Sequence, residues 1–508
     1  MFSSGRALGR QSAPGWALIL AGGVAAMGWS ESASAYEAFV SADLTGQGYQ
    51  LRDLDGRLLN RRRVETFFQL YVYDILPEPK DPVARRKVHP QMYLSVAFRL
   101  DADLGNFSSS GKDPFLLTQD LDAGPVFQLL YGYLGVTGLM GGWLELKLGR
   151  QFRWSAMDAY QYDGIDVRIK SPYHVGINLF GGRRVDGALP IDAPIYLLDG
   201  TDTVQEPASW QPMFGVGLFS DWKYLNGRVA YRRSFSVLRN RAPTAPIYTW
   251  PDGNQPNGLL DETATAEERV TGWLSARLWN DRVTPYLGLA YSVMTDRLAR
   301  TLAGVKVILG RHSISAEYAR HEPDFDGNSI FNVFNVQPFS EARLWYELRI
   351  AKSWSGYARA SLRLFQGGDD QGYSAAERKK VQPSPGGGLG VQYWGHSLSG
   401  RVDWYWQEGY GGRTLGVDMA WQYQILGPRL SWQGRLTVIH WADDLSEQLH
   451  GVTAGVATGA LWRFHPRFSV RFIVEDNFGE FYKADVRLYA MFQMNWCSTG
   501  TCGKGWLW

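Results

Sequence analysis

Charged side chains recur at every second position along this chain, with aliphatic side chains between them. In the stretch Trp143 to Lys170, Glu145 and Lys147 alternate with Leu144, Leu146 and Leu148. Further on, Asp166, Arg168 and Lys170 alternate with Ile165, Val167 and Ile169. The same spacing puts Arg99 and Asp101 on one face of Met92 to Asp103, and Arg401 and Asp403 on one face of Ser397 to Gln407. Arg232 and Arg349 hold equivalent positions in their own segments. Fixed charges of both signs on one watered face can solvate and sort ions and polar solutes. The plain expectation is that most of them pair across strands and wet a wall. The sharper one is an arginine ladder that guides an anionic or sugar-like solute, with Tyr93, Tyr405 and Tyr489 on the same face.

Covalent catalysis is not indicated. There is no Gly-x-Ser-x-Gly, no His-Glu-x-x-His and no phosphate loop. His174, His312, His321, His396, His440 and His465 are scattered, beside no nucleophile motif. Asp324-Phe325-Asp326-Gly327-Asn328 lacks the ligand register and closing Glu of a calcium loop and reads as a turn. No enzyme activity, cofactor or metal is expected.

What must position these charges is a set of strands, because a period of two is the strand period. Candidate strands cover nearly all of the chain after its first 35 residues, from Tyr36 to Gln50 through to Ala484 to Trp496. Long connections rich in Gly, Pro, Asp and Asn alternate with short turns, as extracellular loops alternate with periplasmic turns. Ile75 to Gln91 is the one long connection on the short-turn side. The fold class is all-β: a transmembrane antiparallel up-and-down β-barrel of about 18–22 strands, with 22 the best count, long extracellular loops and no N-terminal plug. The competing reading, a soluble β-propeller, would rarely set so many aromatics beside arginines in strand after strand. Arginine at Leu94, Val96 or Phe98 should then meet hydrocarbon, while arginine at Ser95 or Ala97 should be tolerated.

Composition agrees. The 508 residues include 21 Trp, 26 Tyr and 57 Gly, a bias that aromatic girdles and glycine-rich turns explain. The formal net charge of +2 gives no sign of a nucleic-acid partner. Residues 1–35 read as a secretory signal peptide: Arg6 and Arg10, then an apolar run from Gly15 to Trp29, then Ala33-Ser34-Ala35 as the cleavage rule. Residues 36–496 are the barrel, and 497–508 form a C-terminal tail whose Cys497 and Cys502 are candidates for a small disulfide loop. Strand Ala484 to Trp496 and the terminal Trp508 are candidate signals for the barrel-assembly machinery. The expected setting is the Gram-negative outer membrane, with its lipid as a partner.

Leu148-Gly149-Arg150-Gln151, followed by Asp163-Gly164-Ile165-Asp166-Val167, resembles the hairpin shared by several porin families and by alginate-export-type barrels. In such porins the loop after the Gly-Arg-Gln strand folds into the lumen. The resemblance therefore implies Arg150 and the segment Phe152 to Asp163 as constriction candidates. The alternative is that Gly149 and Arg150 end a strand and pair locally. The functions compatible with all this are a porin-like channel for passive diffusion of small hydrophilic solutes, a conduit for exporting an anionic polysaccharide, and a surface adhesion or scaffold barrel acting through its loops.

Overall fold

In the computed structural model, residues 37–53, 58–76, 89–106, 126–154, 157–185, 211–236, 264–322, 338–365, 381–409, 412–442, 450–480 and 482–498 are described. The signal-peptide segment, most of each long connection, the Asp324–Asn328 turn, Cys502 and the rest of the tail lie outside them.

The described residues form one 22-stranded sheet. In chain order the strands are β1 (Glu37–Asp53), β2 (Leu58–Tyr73), β3 (Gln91–Asn106), β4 (Val126–Leu139), β5 (Leu144–Trp154), β6 (Ala159–Lys170), β7 (Val175–Arg184) and β8 (Pro212–Asp221). Next come β9 (Leu225–Ser236), β10 (Ala264–Ala276), β11 (Val283–Ser292), β12 (Arg297–Leu309), β13 (His312–His321), β14 (Phe339–Arg349) and β15 (Trp354–Phe365). The last are β16 (Gln382–Trp394), β17 (Leu398–Gln407), β18 (Arg413–Gln424), β19 (Leu430–Ala442), β20 (His450–His465), β21 (Phe468–Gly479) and β22 (Tyr482–Cys497). Each strand pairs antiparallel with its neighbour in sequence, and β1 pairs with β22 from Phe39↔Cys497 to Asp53↔Tyr482. That last ladder closes the sheet into a barrel, so no edge is left. Closure is what hydrocarbon demands, because an unpaired backbone donor there has no water to turn to.

Every strand is long enough to cross a bilayer, from 10 residues in β7 to 17 in β1. The alternation sorts side chains cleanly. Leu134, Leu148, Ile165, Ile177, Leu218, Val229 and Leu389 are all exposed and share the outer face. Their sequence neighbours Lys147, Asp166, Asn178 and Arg228 face the lumen. A girdle of exposed aromatics marks the short-turn end: Trp143, Tyr173, Trp222, Trp279, Trp394 and Trp462. Aliphatic flank, aromatic rim and closed ladder together make this a transmembrane barrel.

The strand count matches the sequence expectation, and the connection at residues 74–90 remains long at the short-turn end. Two expectations are corrected. Phe152 to Asp163 is mostly strand, not loop, since β5 and β6 pair out to Trp154↔Ala159. Ser95 and Ala97 do face inward, but they are 1% and 0% exposed, between the inward tyrosines of β2 and β4. Arginine would not fit there, so the tolerance expected at these two positions does not follow. Cys497 ends β22 and is disulfide-bonded.

Candidate functional site

The lumen is shaped by one departure from the regular wall. The β4–β5 ladder stops at Gly132↔Arg150, although β4 runs back to Val126 and β5 on to Trp154. The β6–β7 ladder continues to Tyr162↔Arg184. The tip of the β5–β6 hairpin therefore peels away from β4, stays hinged to β7, and leans inward. Glycines make the hinge. Gly149 has φ +127°, and a Cβ there would lie 2.2 Å from the Gly132 carbonyl oxygen. Its cross-strand partner Gly164 would place a Cβ 2.1 Å from the Gly181 carbonyl oxygen.

Peeling a strand away frees carbonyls on β4. Arg150 Nη1 donates to the Leu129 carbonyl at 3.0 Å, and Gln161 Nε2 donates to the Leu130 carbonyl. Arg150 also holds Asp163 through two bonds of 2.6 and 2.8 Å. This corrects the reading of Arg150 as a lumen charge. It lies on the face of Leu148 and Ile165, opposite Lys147 and Asp166, where it seals the seam that the departing strand opens.

The tip crosses to the wall formed by β9 to β11. Asp158 accepts from Arg232 at 3.0 and 3.1 Å and lies 3.7 Å from Arg269. Glu267 completes the group, 2.6 Å from Arg232 and 3.2 Å from Arg269. Two carboxylates thus face two guanidiniums, nearly out of solvent; the Asp158 and Arg232 side chains are only 7% and 6% exposed. Met157 is buried against Gly288 of β11, where an added Cβ would be 2.6 Å from its Cε. Behind the tip, Tyr160 and Tyr162 pack on Phe180 with ring centroids 5.3 and 5.2 Å away, and Met213 closes the cluster. Arg232 lies over the Tyr160 ring at 4.6 Å. Below, Asp166 collects the Tyr162 hydroxyl at 2.9 Å, Asn178 at 2.7 Å and Arg153.

The remaining sequence candidates line the inner wall as cross-strand pairs. Arg99 donates to Gln128 at 2.8 Å and lies 3.6 Å from Glu65; Asp101 accepts from Arg63 at 2.6 Å. Glu145 pairs with Lys170 and lies 3.9 Å from Arg168, which reaches Asp221 at 3.0 Å. Arg401 is 3.3 Å from Asp403 and 3.6 Å from Asp418, and Asp418 accepts from Arg435 at 2.6 Å. Arg349 is exposed on the inner face at the short-turn end of β14. Lys147 sits 5.2 Å over Tyr133. That ring belongs to an inner patch in which the Tyr71 and Tyr131 hydroxyls are 2.6 Å apart and Tyr93 meets Tyr133 edge-on at 6.1 Å. The structure does not gather the sequence candidates into one site. It spreads them around the wall; Arg232 meets the hairpin tip and Asp166 holds Arg153 and Tyr162 behind it.

Sequence reasoning missed Glu267 and Arg269, and gave Asp158 and Gln161 no role of their own beyond their place in the segment Phe152 to Asp163. Their signal was faint, since each looks like an ordinary strand-end or turn residue until the hairpin's inward path is known.

The chain is a transmembrane β-barrel of the outer-membrane type. No protein-family model matches it, and no curated protein does. Among solved structures it is similar to the outer membrane protein OpdK from Pseudomonas aeruginosa, with TM-score 0.39 and 11% identity over 90% of this chain and 99% of that one. It is also similar to OccAB4 from Acinetobacter baumannii, with TM-score 0.42 and 9% identity over 91% and 98%. A third is OccK2 (OpdF) from Pseudomonas aeruginosa in complex with glucuronate, with TM-score 0.41 and 11% identity over 90% and 98%.

Proposed function

We propose that this barrel is a porin-like channel of the Gram-negative outer membrane, through which small hydrophilic solutes diffuse passively. The observation that carries the reading is the inward hairpin tip. It narrows a lumen whose wall is polar and charged around its circumference, while Asp158, Glu267, Arg232 and Arg269 anchor it to the inner face of β9 and β10. A wide barrel needs such an element if it is to sieve solutes rather than leak them. Guanidiniums and carboxylates pair locally along the wall, so discrimination by sign is weak and the solutes are polar rather than strictly anionic. On this reading the first 35 residues are removed as a signal peptide and the assembly machinery inserts the rest. Work is done by position and charge, with no covalent chemistry.

Single-channel recording of the refolded barrel in a planar bilayer tests this. Steady conductance with a small reversal potential under a salt gradient is expected. Absence of conductance from a barrel that runs as folded on an unheated gel would sink the reading.

A further inference from the structure

The outer face of the barrel is zoned on one flank. On β7 to β13 the exposed aliphatics give way, toward the long-loop end, to Tyr231, Tyr291 and Tyr318. Each tyrosine hydroxyl is bonded to a polar residue one level further out: Glu268 at 2.6 Å, Asp296, and Ser340 at 3.2 Å. An aliphatic band capped by tyrosines marks where hydrocarbon ends. At that level three arginines face outward: Arg320, which is ion-paired with Glu322 at 3.2 Å, and Arg183 and Arg233, which are not ion-paired among the described residues. Arg183 is exposed and makes no ion pair among the described residues. Arg233 donates to the neutral Thr265 hydroxyl at 2.7 and 3.2 Å and stacks on Phe235 at 4.8 Å; Glu268 lies directly across the ladder from it but is taken by the Tyr231 hydroxyl and makes no ion pair with it among the described residues. Only β8 separates the two, since Arg233 pairs with Phe214 and Phe214 with Gly181. Eight residues of β7 separate Val175 from Arg183. At a rise of roughly 3.3 Å and a tilt of roughly 40°, that is a height of about 20 Å, close to the outer edge of an apolar band about 25 Å tall.

A second observation lies beneath them on the same strands. An apolar groove of about 750 Å³ runs over β7 to β11, lined by Ile177, Leu218, Val229, Leu274 and Leu289. Its floor includes Gly227 and Gly272, and a Cβ on Gly272 would meet nothing within 4 Å. Val229 precedes Arg233 by four residues, about 13 Å along the strand. A lipid whose headgroup reached the arginines would have its chains at the depth of the groove. The outward rim of the far wall differs: Leu362 and Leu364 of β15 and Trp404 of β17 are apolar, and Arg413 of β18 is exposed and makes no ion pair among the described residues.

We propose that this flank binds one phosphorylated lipid of the outer leaflet, with Arg183 and Arg233 holding the headgroup phosphate and the groove over Gly227 and Gly272 taking an acyl chain. Guanidiniums suit the site, because their planar donor forks match phosphate oxygens and are only weakly hydrated. Neither arginine is in an ion pair among the described residues, unlike most arginines of the lumen, so a phosphate would have to displace only the neutral Thr265 hydroxyl from Arg233.

Native mass spectrometry of the detergent-purified, delipidated barrel decides it. The protein would be titrated with micelles carrying a phosphorylated glycolipid, its dephosphorylated counterpart, or phosphatidylethanolamine. The expected result is a single retained phosphoglycolipid, held at least tenfold more weakly by Arg183→Gln/Arg233→Gln and severalfold more weakly by Gly272→Leu, with Arg413→Gln unchanged. Should the double variant fail to fold, Arg183→Gln alone carries the test. Equal retention of the dephosphorylated lipid would overturn the proposal, as would equal retention by the arginine variants. Displacement of the lipid by inorganic phosphate, with Gly272→Leu without effect, would mean a bare anion site and would overturn it too.

Discussion

The β5–β6 ladder is two structures joined at Gly149 and Gly164. Below those glycines it is wall, with Leu148 and Ile165 toward lipid and Lys147 and Asp166 toward water. Above them the same ladder, still paired residue for residue, belongs to the lumen. Nothing about the hydrogen bonds between its two strands changes at the boundary. What changes is the neighbour: β4 is lost, and the inner wall of β9 to β11 is gained. A barrel can therefore build an internal constriction from wall strands, provided two conditions hold. The backbones must approach closely at the bend, which Gly149 and Gly164 allow. The carbonyls left behind must find donors, which Arg150 and Gln161 supply.

The sharpest way to break this comparison is to put the same charge on either side of the hinge. Leu148→Arg faces hydrocarbon and should cost about 2–4 kcal/mol, seen as lost folded protein in outer-membrane fractions. Phe152→Arg, two positions above Arg150 on the same face, should be tolerated, because that side of the tip no longer meets lipid. Equal loss from both would mean that the tip is wall after all. Asp158→Asn comes next. It removes one carboxylate from a buried four-group cluster while Glu267 still serves Arg232, so a loss of about 1–3 kcal/mol in urea unfolding is expected. The tip should also loosen, giving noisier and larger single-channel currents. Unchanged currents with lowered stability would make the cluster a brace and not a pore element.

How much of this was legible beforehand follows from range. Period-two alternation is local, so all the strands and their two faces could be read from residues such as Leu144, Glu145, Leu146 and Lys147. Arg99, Asp166 and Arg401 were assigned to the lumen by that rule, and the rule places them there. Arg150 shows its limit. Alternation alone, counted from Leu148, puts Arg150 on the lipid face; the resemblance to inward-folding hairpins drew it into the lumen. The alternative, that Gly149 and Arg150 pair locally, describes the Arg150–Asp163 bond but not the strand running on beyond it. The segment holding Asp158 was singled out by the resemblance, but its partners were not, because they lie on β9 and β10, scores of residues away, and no local pattern announces a contact of that span. Ser95 and Ala97 failed for a related reason. Facing inward is set by parity, whereas having room is set by the tyrosines of two other strands.

The smallest effect tests the regular wall against the hinge. Tyr71 and Tyr131 share a hydroxyl–hydroxyl bond of 2.6 Å across Ser95, on the inner face of β2 to β4, with Tyr131 one residue beyond the last β4–β5 pair and apart from the Asp158 cluster's anchor on β9 and β10. Tyr71→Phe removes that bond and leaves the stacking on Tyr73 in place, so it should cost about 1 kcal/mol or less. The open pore should conduct as before, since the patch lies along the wall and not at the constriction. If Tyr71→Phe changed single-channel current as much as Asp158→Asn does, solutes would be gated at the tyrosine patch, and the hinge would lose its claim to set the narrowest point.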